Sequence, residues 1–299
     1  MPRAGRHPLK NTNIKHQPVI HQKVTVTTIV CIPMLAGYWR ESLEVLKLFF
    51  ESLYANTGQP FDLMVFDNGS CKEVQDFLLQ LHRDNQIQFL TFSAYNLKKL
   101  GAMDYLFSVA PGEFVAFADS DVYFLPGWLE ESIAILEAYP EVGQVSALPT
   151  IDKSHHYLES TLRGIEASDN LIVEQGCGLI PDAYIEAHRM SIGKGKHDYI
   201  NLAGERNDIL VRRNEVGAFV SAQDFQFITR KTIIQKVLPL EVRHPGEYYD
   251  PIYSPVFEAK VNELGYWRLS TTRYLVHHLG NHVPDLQQEL AGILSSGQE

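Results

Sequence analysis

Phe114-Val115-Ala116-Phe117-Ala118-Asp119-Ser120-Asp121-Val122 is an apolar run of strand length that ends abruptly in two carboxylates one residue apart. Buried parallel strands read as continuous apolar runs, and open α/β sheets bind ligands beyond the carboxyl ends of their strands. The stretch therefore predicts a buried strand whose tip holds Asp119 and Asp121 in a ligand crevice. Hard cations such as Mg²⁺ and Mn²⁺ take oxygen ligands, typically one or two carboxylates together with substrate phosphates. In a chain with 36 acidic residues an Asp-x-Asp also arises in solvated turns, so the flanking sequence decides its meaning.

Toward the N-terminus, Val24 to Ile32 is β-branched and apolar and is closed by Pro33, which predicts a first buried strand. Trp39 to Tyr54 places Leu43, Leu46, Phe49, Phe50 and Leu53 at helical spacing, and Phe61 to Phe66 forms a second apolar run. Helix Lys72 to Leu81, strand Ile87 to Phe92 and helix Lys98 to Val109 lead into the opening stretch. Helix Pro126 to Tyr139 and strand Gly143 to Leu148 follow it. Such alternation predicts an α/β fold, Rossmann-like, with a mostly parallel sheet, right-handed crossovers and helices on both faces. Functional residues then belong in the loops after Ile32, Phe66 and Ala118, on one sheet edge. Beyond Thr150 the alternation fades, leaving a strand at Gly217 to Val220, helices at Asp224 to Val237 and Pro255 to Leu264, and a strand from Arg273 to Val276 that runs into His277-His278.

Composition narrows the function classes. At 299 residues, 45% of them hydrophobic, the chain can bury a large core. The net charge is -10, yet the first 23 residues carry Arg3, Arg6, Lys10, Lys15 and Lys23 without an acid, so that segment reads as a disordered basic tail and the remainder as acidic. An acidic folded part excludes a general basic surface for nucleic acid. The tail has no apolar core of the kind a signal peptide needs, and no run of about 18 apolar residues predicts a membrane span. Cys31, Cys71 and Cys177 lack metal-ligand spacing, which predicts a reduced, cytoplasmic setting, with peripheral membrane contact left open.

The ordered set Val30-Cys31-Ile32-Pro33, Phe66-Asp67-Asn68-Gly69-Ser70, Asn96 with Lys99, Gly101 and Ala102, and Gly112 to Val122 resembles family 2 of the nucleotide-sugar glycosyltransferases, which have the GT-A fold. The resemblance implies an inverting hexosyltransferase that takes a nucleotide-sugar donor, UDP-sugar favoured, and a saccharide or other hydroxyl acceptor, with Mn²⁺ or Mg²⁺ as cofactor. It implies that Pro33 and Asp67 line the nucleoside pocket, that Lys99 assists the donor, that Asp119 approaches the ribose or metal, and that Asp121 ligates the ion on the diphosphate. His277, in His277-His278-Leu279-Gly280-Asn281, is the expected further ligand, preferred to His278 on its spacing after the strand. The implied division is a tail over 1–23, a nucleotide-sugar-binding half over 24–150, an acceptor-binding and catalytic half over 151–285, and a C-terminal tail over 286–299.

The chain departs from the family at the general base, a carboxylate usually found in a Glu-Asp pair at a helix start. Tyr253-Ser254-Pro255-Val256-Phe257-Glu258-Ala259-Lys260 contains no such pair. Direct displacement needs a group to take the acceptor proton, which leaves Asp224, after Gln223, and Asp250 as candidates. Asp224 reads equally well as a helix N-terminal residue. Two other readings stay open: a catalytically silent sugar-nucleotide binder, and a nucleotidyltransferase-like α/β enzyme. The latter calls for a Gly-rich basic loop after the first strand, whereas Pro33 to Gly37 holds neither Lys nor Arg.

Overall fold

A computed structural model of the chain describes residues 20–151, 157–194, 206–240 and 255–295. The first part follows the alternation of the sequence: β1 (Val24–Val30), α1 (Ser42–Asn56), β2 (Phe61–Asp67), α2 (Lys72–Arg83), β3 (Phe89–Phe92), α3 (Lys98–Val109), β4 (Phe114–Asp119), a short β5 (Val122–Phe124), α4 (Trp128–Ala138) and β6 (Val142–Ser146). It continues through α5 (Glu159–Glu166), β7 (Ile172–Gly176), α6 (Asp182–Ser191), β8 (Asp208–Arg213), β9 (Val216–Phe219), β10 (Gln226–Arg230) and α7 (Lys231–Val237). The last elements are α8 (Val256–Glu263), β11 (Trp267–Ser270), β12 (Val276–His278) and α9 (Leu286–Ser295).

Among the described residues ten strands form one sheet in the order β3-β2-β1-β4-β10-β6-β11-β9-β8-β7, and β12 pairs with β5 in a small second sheet. The strands β1 to β4 and the β6–β11 pair are parallel, while β10, β9 and β7 run against the rest. Side chains alternate between the two faces of a strand, and both faces of β4 are buried. Phe114, Ala116 and Ala118 join one core with α1, α2 and α4, whereas Val115 and Phe117 join a second core with α3, α7 and α8. The result is a three-layer α/β/α arrangement, as the alternating elements predict.

Two expectations need correction. The helix read from Asp224 to Val237 is instead strand β10 followed by the seven-residue α7. Gln226, Phe227, Ile228 and Thr229 are each 0% exposed, wedged between β4 and β6, and burial between two strands overrides any helical pattern there. Side chains complete the stitching: Ala147 N donates to Gln226 Oε1 at 2.8 Å, and Thr229 Oγ1 donates to the Gly143 carbonyl at 2.6 Å. The late strand begins at Val276 and includes both histidines, because it pairs with β5 rather than with the main sheet. The segment after Asp285 contains the helix α9, whose Ile293 is buried in the main core. Of the tail read over 1–23, residues 1–19 lie outside the described residues, and Gln22 N is hydrogen-bonded to Asp62 Oδ2 at 2.9 Å.

Candidate active site

Asp119 ends β4 on the same face as Val115 and Phe117, which is the face covered by α3. Lys99, in the first turn of α3, consequently reaches it: Nζ donates to Asp119 Oδ2 at 2.8 Å and lies 5.2 Å from the centre of the Phe117 ring. The same ammonium is 3.9 Å from Asp224 Oδ2. Asp224 arrives here because β10 is antiparallel, so its N-terminal end lies beside the C-terminal end of β4 and the Asp119 amide donates to the Phe225 carbonyl at 2.8 Å. Burial pushes the Asp119 carboxyl up, and Asp121 and Asp224 add to the rise against the pull of Lys99. For Lys99, burial works against the charge, but Asp119 and Asp224 outweigh it and hold the ammonium above its ordinary range.

Asp121 lies in the tight connection between β4 and β5. The β12–β5 register sets His278 opposite Val122, and its Nε2 is 3.4 Å from Asp121 Oδ2. Adjacent residues on a strand face opposite ways, so His277 points elsewhere: its Nδ1 is 2.7 Å from the Tyr274 hydroxyl and its Nε2 is 3.1 Å from Glu289 Oε2 on α9. The histidine beside the Asp-x-Asp pair is therefore His278, whereas His277, preferred on its spacing, is bonded to Tyr274 and Glu289. Burial raises the Asp121 carboxyl, yet the His278 imidazole beside it more than offsets this and holds it below the usual range; the carboxylate in turn holds His278 above its ordinary value against burial. Phe225 packs edge-on to His278 with ring centres 5.4 Å apart and stacks on His188 from the other side.

Asp121 Oδ1 and His278 Nδ1 are buried atoms without a hydrogen-bond partner in the protein. Among the described residues no group of three His, Cys, Asp or Glu side chains is arranged to hold an ion unaided. A carboxylate with an idle oxygen and an adjacent imidazole fit a hard divalent ion that completes its shell with phosphate oxygens and water.

Asp67 ends β2 and is 0% exposed. Its Oδ1 accepts from Ser70 N at 3.2 Å and its Oδ2 from Gln75 Nε2 at 3.0 Å, so it shapes the turn through Gly69, whose φ of +87° suits glycine. An ionised carboxylate has about four acceptor positions, which leaves lone pairs over on each oxygen. Asn68 ties this turn to the next loop: Oδ1 accepts from Leu97 N at 2.7 Å and Nδ2 donates to Asn96 Oδ1 at 3.1 Å. Ser70 Oγ accepts from Ile32 N at 3.0 Å, which adds the loop after β1, where Pro33 is exposed. Pro33, Asp67, Lys99, Asp119, Asp121 and Asp224 thus lie on one edge of the sheet. Asp250 lies outside the described residues.

Sequence reading missed a buried polar group behind Asp224. Gln144 on β6, Glu258 on α8 and Arg268 on β11 are 0%, 3% and 3% exposed. Arg268 Nε donates to Gln144 Oε1 at 2.7 Å, and Gln144 Nε2 donates to Glu258 Oε1 at 3.3 Å. Burial pushes Glu258 from its ordinary 4.5 up to about 7, against the pull of Arg268 and helped by Asp224. The available signal was a polar residue inside an apolar strand, Gln144 in Val142-Gly143-Gln144-Val145 and Arg268 in Trp267-Arg268-Leu269. Beside Arg268, the Trp267 ring is buried in the core, and Lys236 bonds the Tyr266 hydroxyl.

An uncharacterised glycosyltransferase of Rickettsia bellii is 26% identical over 114 residues, 38% of this chain and 16% of that protein. One of Nostoc sp. is 26% identical over 121 residues, 40% of this chain and 38% of that protein, so the chain matches well under half the length of either relative. Among solved structures, a mannosyltransferase of Pyrobaculum calidifontis in complex with GDP-Man and Mn²⁺ aligns with TM-score 0.49 and 13% identity over 94% of this chain and 64% of that one. The model of the family described as glycosyl transferase family 2 matches residues 24–173, which is half of the chain and includes β1, the Asp67 turn and the Asp119–Asp121 tip. With the ordered motifs converging on one sheet edge, the chain belongs to glycosyltransferase family 2.

Proposed function

We propose that the protein is a metal-dependent, inverting glycosyltransferase that moves a hexosyl group from a nucleotide diphosphate donor, UDP-sugar favoured, to a hydroxyl acceptor. The observation that carries this reading is the meeting of Asp119, Asp121, Lys99, Asp224 and His278 at the C-terminal end of β4. Asp121 and His278 are the residues that would hold Mn²⁺ or Mg²⁺. An ion bound there would neutralise charge on a diphosphate leaving group. Pro33 and the Asp67 turn border the nucleoside side. Lys99 keeps two carboxylates from repelling each other and leaves Asp119 fixed toward the donor. Asp224 is the base: its side chain is 27% exposed, 3.9 Å from the Lys99 ammonium, and can take the proton of an attacking hydroxyl.

The test is nucleoside diphosphate release from UDP-, GDP- and dTDP-sugars, with and without Mn²⁺ and with candidate acceptors. Release that depends on Mn²⁺, falls on Asp121→Ala and needs Asp224 for transfer is expected. Release that survives Asp121→Ala would overturn the metal role, and tight donor binding without any turnover would favour a silent binder.

A further inference from the structure

The loop that carries Asp224 is held by its main-chain carbonyls. Arg268 Nη2 donates to the Ala222 carbonyl at 3.1 Å, and Gln144 Nε2 donates to the Gln223 carbonyl at 3.1 Å. One residue further back, Ser221 Oγ donates to the Thr150 carbonyl at 2.6 Å. Both Gln144 amide hydrogens are used, one on the Gln223 carbonyl and one on Glu258, while its oxygen receives Arg268 Nε. Arg268 is equally engaged, with Nη1 on the Tyr157 carbonyl at 3.3 Å. Burying a guanidinium and a carboxyl is costly, and well-packed apolar residues often serve stability as well or better. What the polar group supplies here is direction, because amide and guanidinium bonds fix the carbonyls on the two residues immediately before Asp224.

We propose that Gln144, Arg268 and Glu258 are positioning residues that aim Asp224 at the acceptor hydroxyl. The inference rests on the reading of Asp224 as base. It assigns no chemistry to the three residues themselves, since two polypeptide carbonyls stand between them and the carboxylate. In this arrangement Glu258 acts at one remove: it receives one Gln144 amide hydrogen, which leaves the other directed at Gln223. The missing Glu-Asp pair is then replaced by a Gln-Asp step whose support comes from β6, α8 and β11.

The experiment measures kcat and donor KM with Mn²⁺ and whichever UDP-, GDP- or dTDP-sugar is turned over, for Gln144→Leu, Arg268→Lys, Glu258→Leu and Glu258→Gln. Misplacing a catalytic group by about 1 Å can cost about 100-fold, so a fall in kcat of about 10- to 100-fold is expected for Gln144→Leu and Glu258→Leu, with donor KM unchanged. Glu258→Gln, which keeps an acceptor oxygen for Gln144, should recover most of the rate lost in Glu258→Leu. Hydrogen exchange in the full chain provides a readout without turnover: amides of 221–225 should exchange faster in Gln144→Leu and in Arg268→Lys, with those of 114–118 unchanged. Unaltered kcat and unaltered exchange at 221–225 would overturn the proposal, as would a rise in donor KM that accounts for the whole loss. Asp224→Asn separates the two ideas: if it retains transfer the base reading fails, whereas if it abolishes transfer while Gln144→Leu does not, only the positioning role fails.

Discussion

Replacing Glu258 by Gln gives a sharp prediction about stability. The carboxyl is 3% exposed and is pushed from 4.5 to about 7 by burial and Asp224 against Arg268. Between these two values the folded chain holds a proton that the unfolded chain has lost, so stability falls as pH rises through that window and levels off above the folded value. Each pH unit of separation is worth about 1.4 kcal/mol, which makes the wild-type penalty at pH 8 on the order of 3 kcal/mol relative to pH 4.5. Glu258→Gln has no such titration while keeping an oxygen for Gln144. Any change in packing it introduces is independent of pH, so the quantity to compare is the slope. Urea unfolding of both proteins at intervals from pH 4.5 to 8 measures it: the difference in unfolding free energy, variant minus wild type, should grow by on the order of 3 kcal/mol with rising pH. Parallel curves, or a difference growing toward acid pH, would refute the argument that Glu258 is buried without a counter-ion strong enough to keep it ionised.

Other expectations follow from single contacts. His278→Ala should abolish Mn²⁺-dependent stabilisation by a bound nucleotide-sugar in thermal unfolding, while His277→Ala should leave that dependence in place and loosen α9 instead, read as faster amide exchange over 286–293. Lys99→Met leaves Asp119 and Asp224 facing each other without their shared cation; nucleotide-sugar affinity measured by calorimetry should fall, and unchanged affinity would count against the role given to Lys99. Asn68→Ala orphans the Leu97 amide and should cost about 1–3 kcal/mol, measured by urea unfolding. A Cβ on Gly164 would overlap the buried Trp267 indole, so Gly164→Ala should destabilise by about 1–3 kcal/mol in the same assay.

The edge formed by β1, β2 and β4 is legible in the sequence because its signals are local. Val24–Val30, Phe61–Asp67 and Phe114–Asp119 are buried on both faces, so each reads as a continuous apolar run, and each is followed at once by the residues it presents. The remainder depends on long-range pairing. Choosing between His277 and His278 needs the register of β12 on β5, where a shift of one residue reverses the face. Recognising Gln226–Arg230 as a strand requires knowing that a slot exists between β4 and β6, since five residues preceding a true helix carry no distinctive period of their own. Gln144 meets Glu258 and Arg268 from more than a hundred residues away, and only their individual polarity within apolar surroundings marked them beforehand.

The insertion of β10 has a consequence for anyone who recombines this protein with its relatives. A chimaera joined near Thr150 would move β10 together with everything after the junction, and β10 is the strand that covers the edge of β4, with the preceding Phe225 carbonyl taking the Asp119 amide. A foreign segment must therefore reproduce an antiparallel five-residue strand of matching register, or it exposes the backbone edge of the very strand that presents Asp119. A graft that spans β10 must therefore carry an equivalent strand, whereas one that keeps Gln226–Arg230 native while exchanging 157–194 leaves the edge of β4 covered.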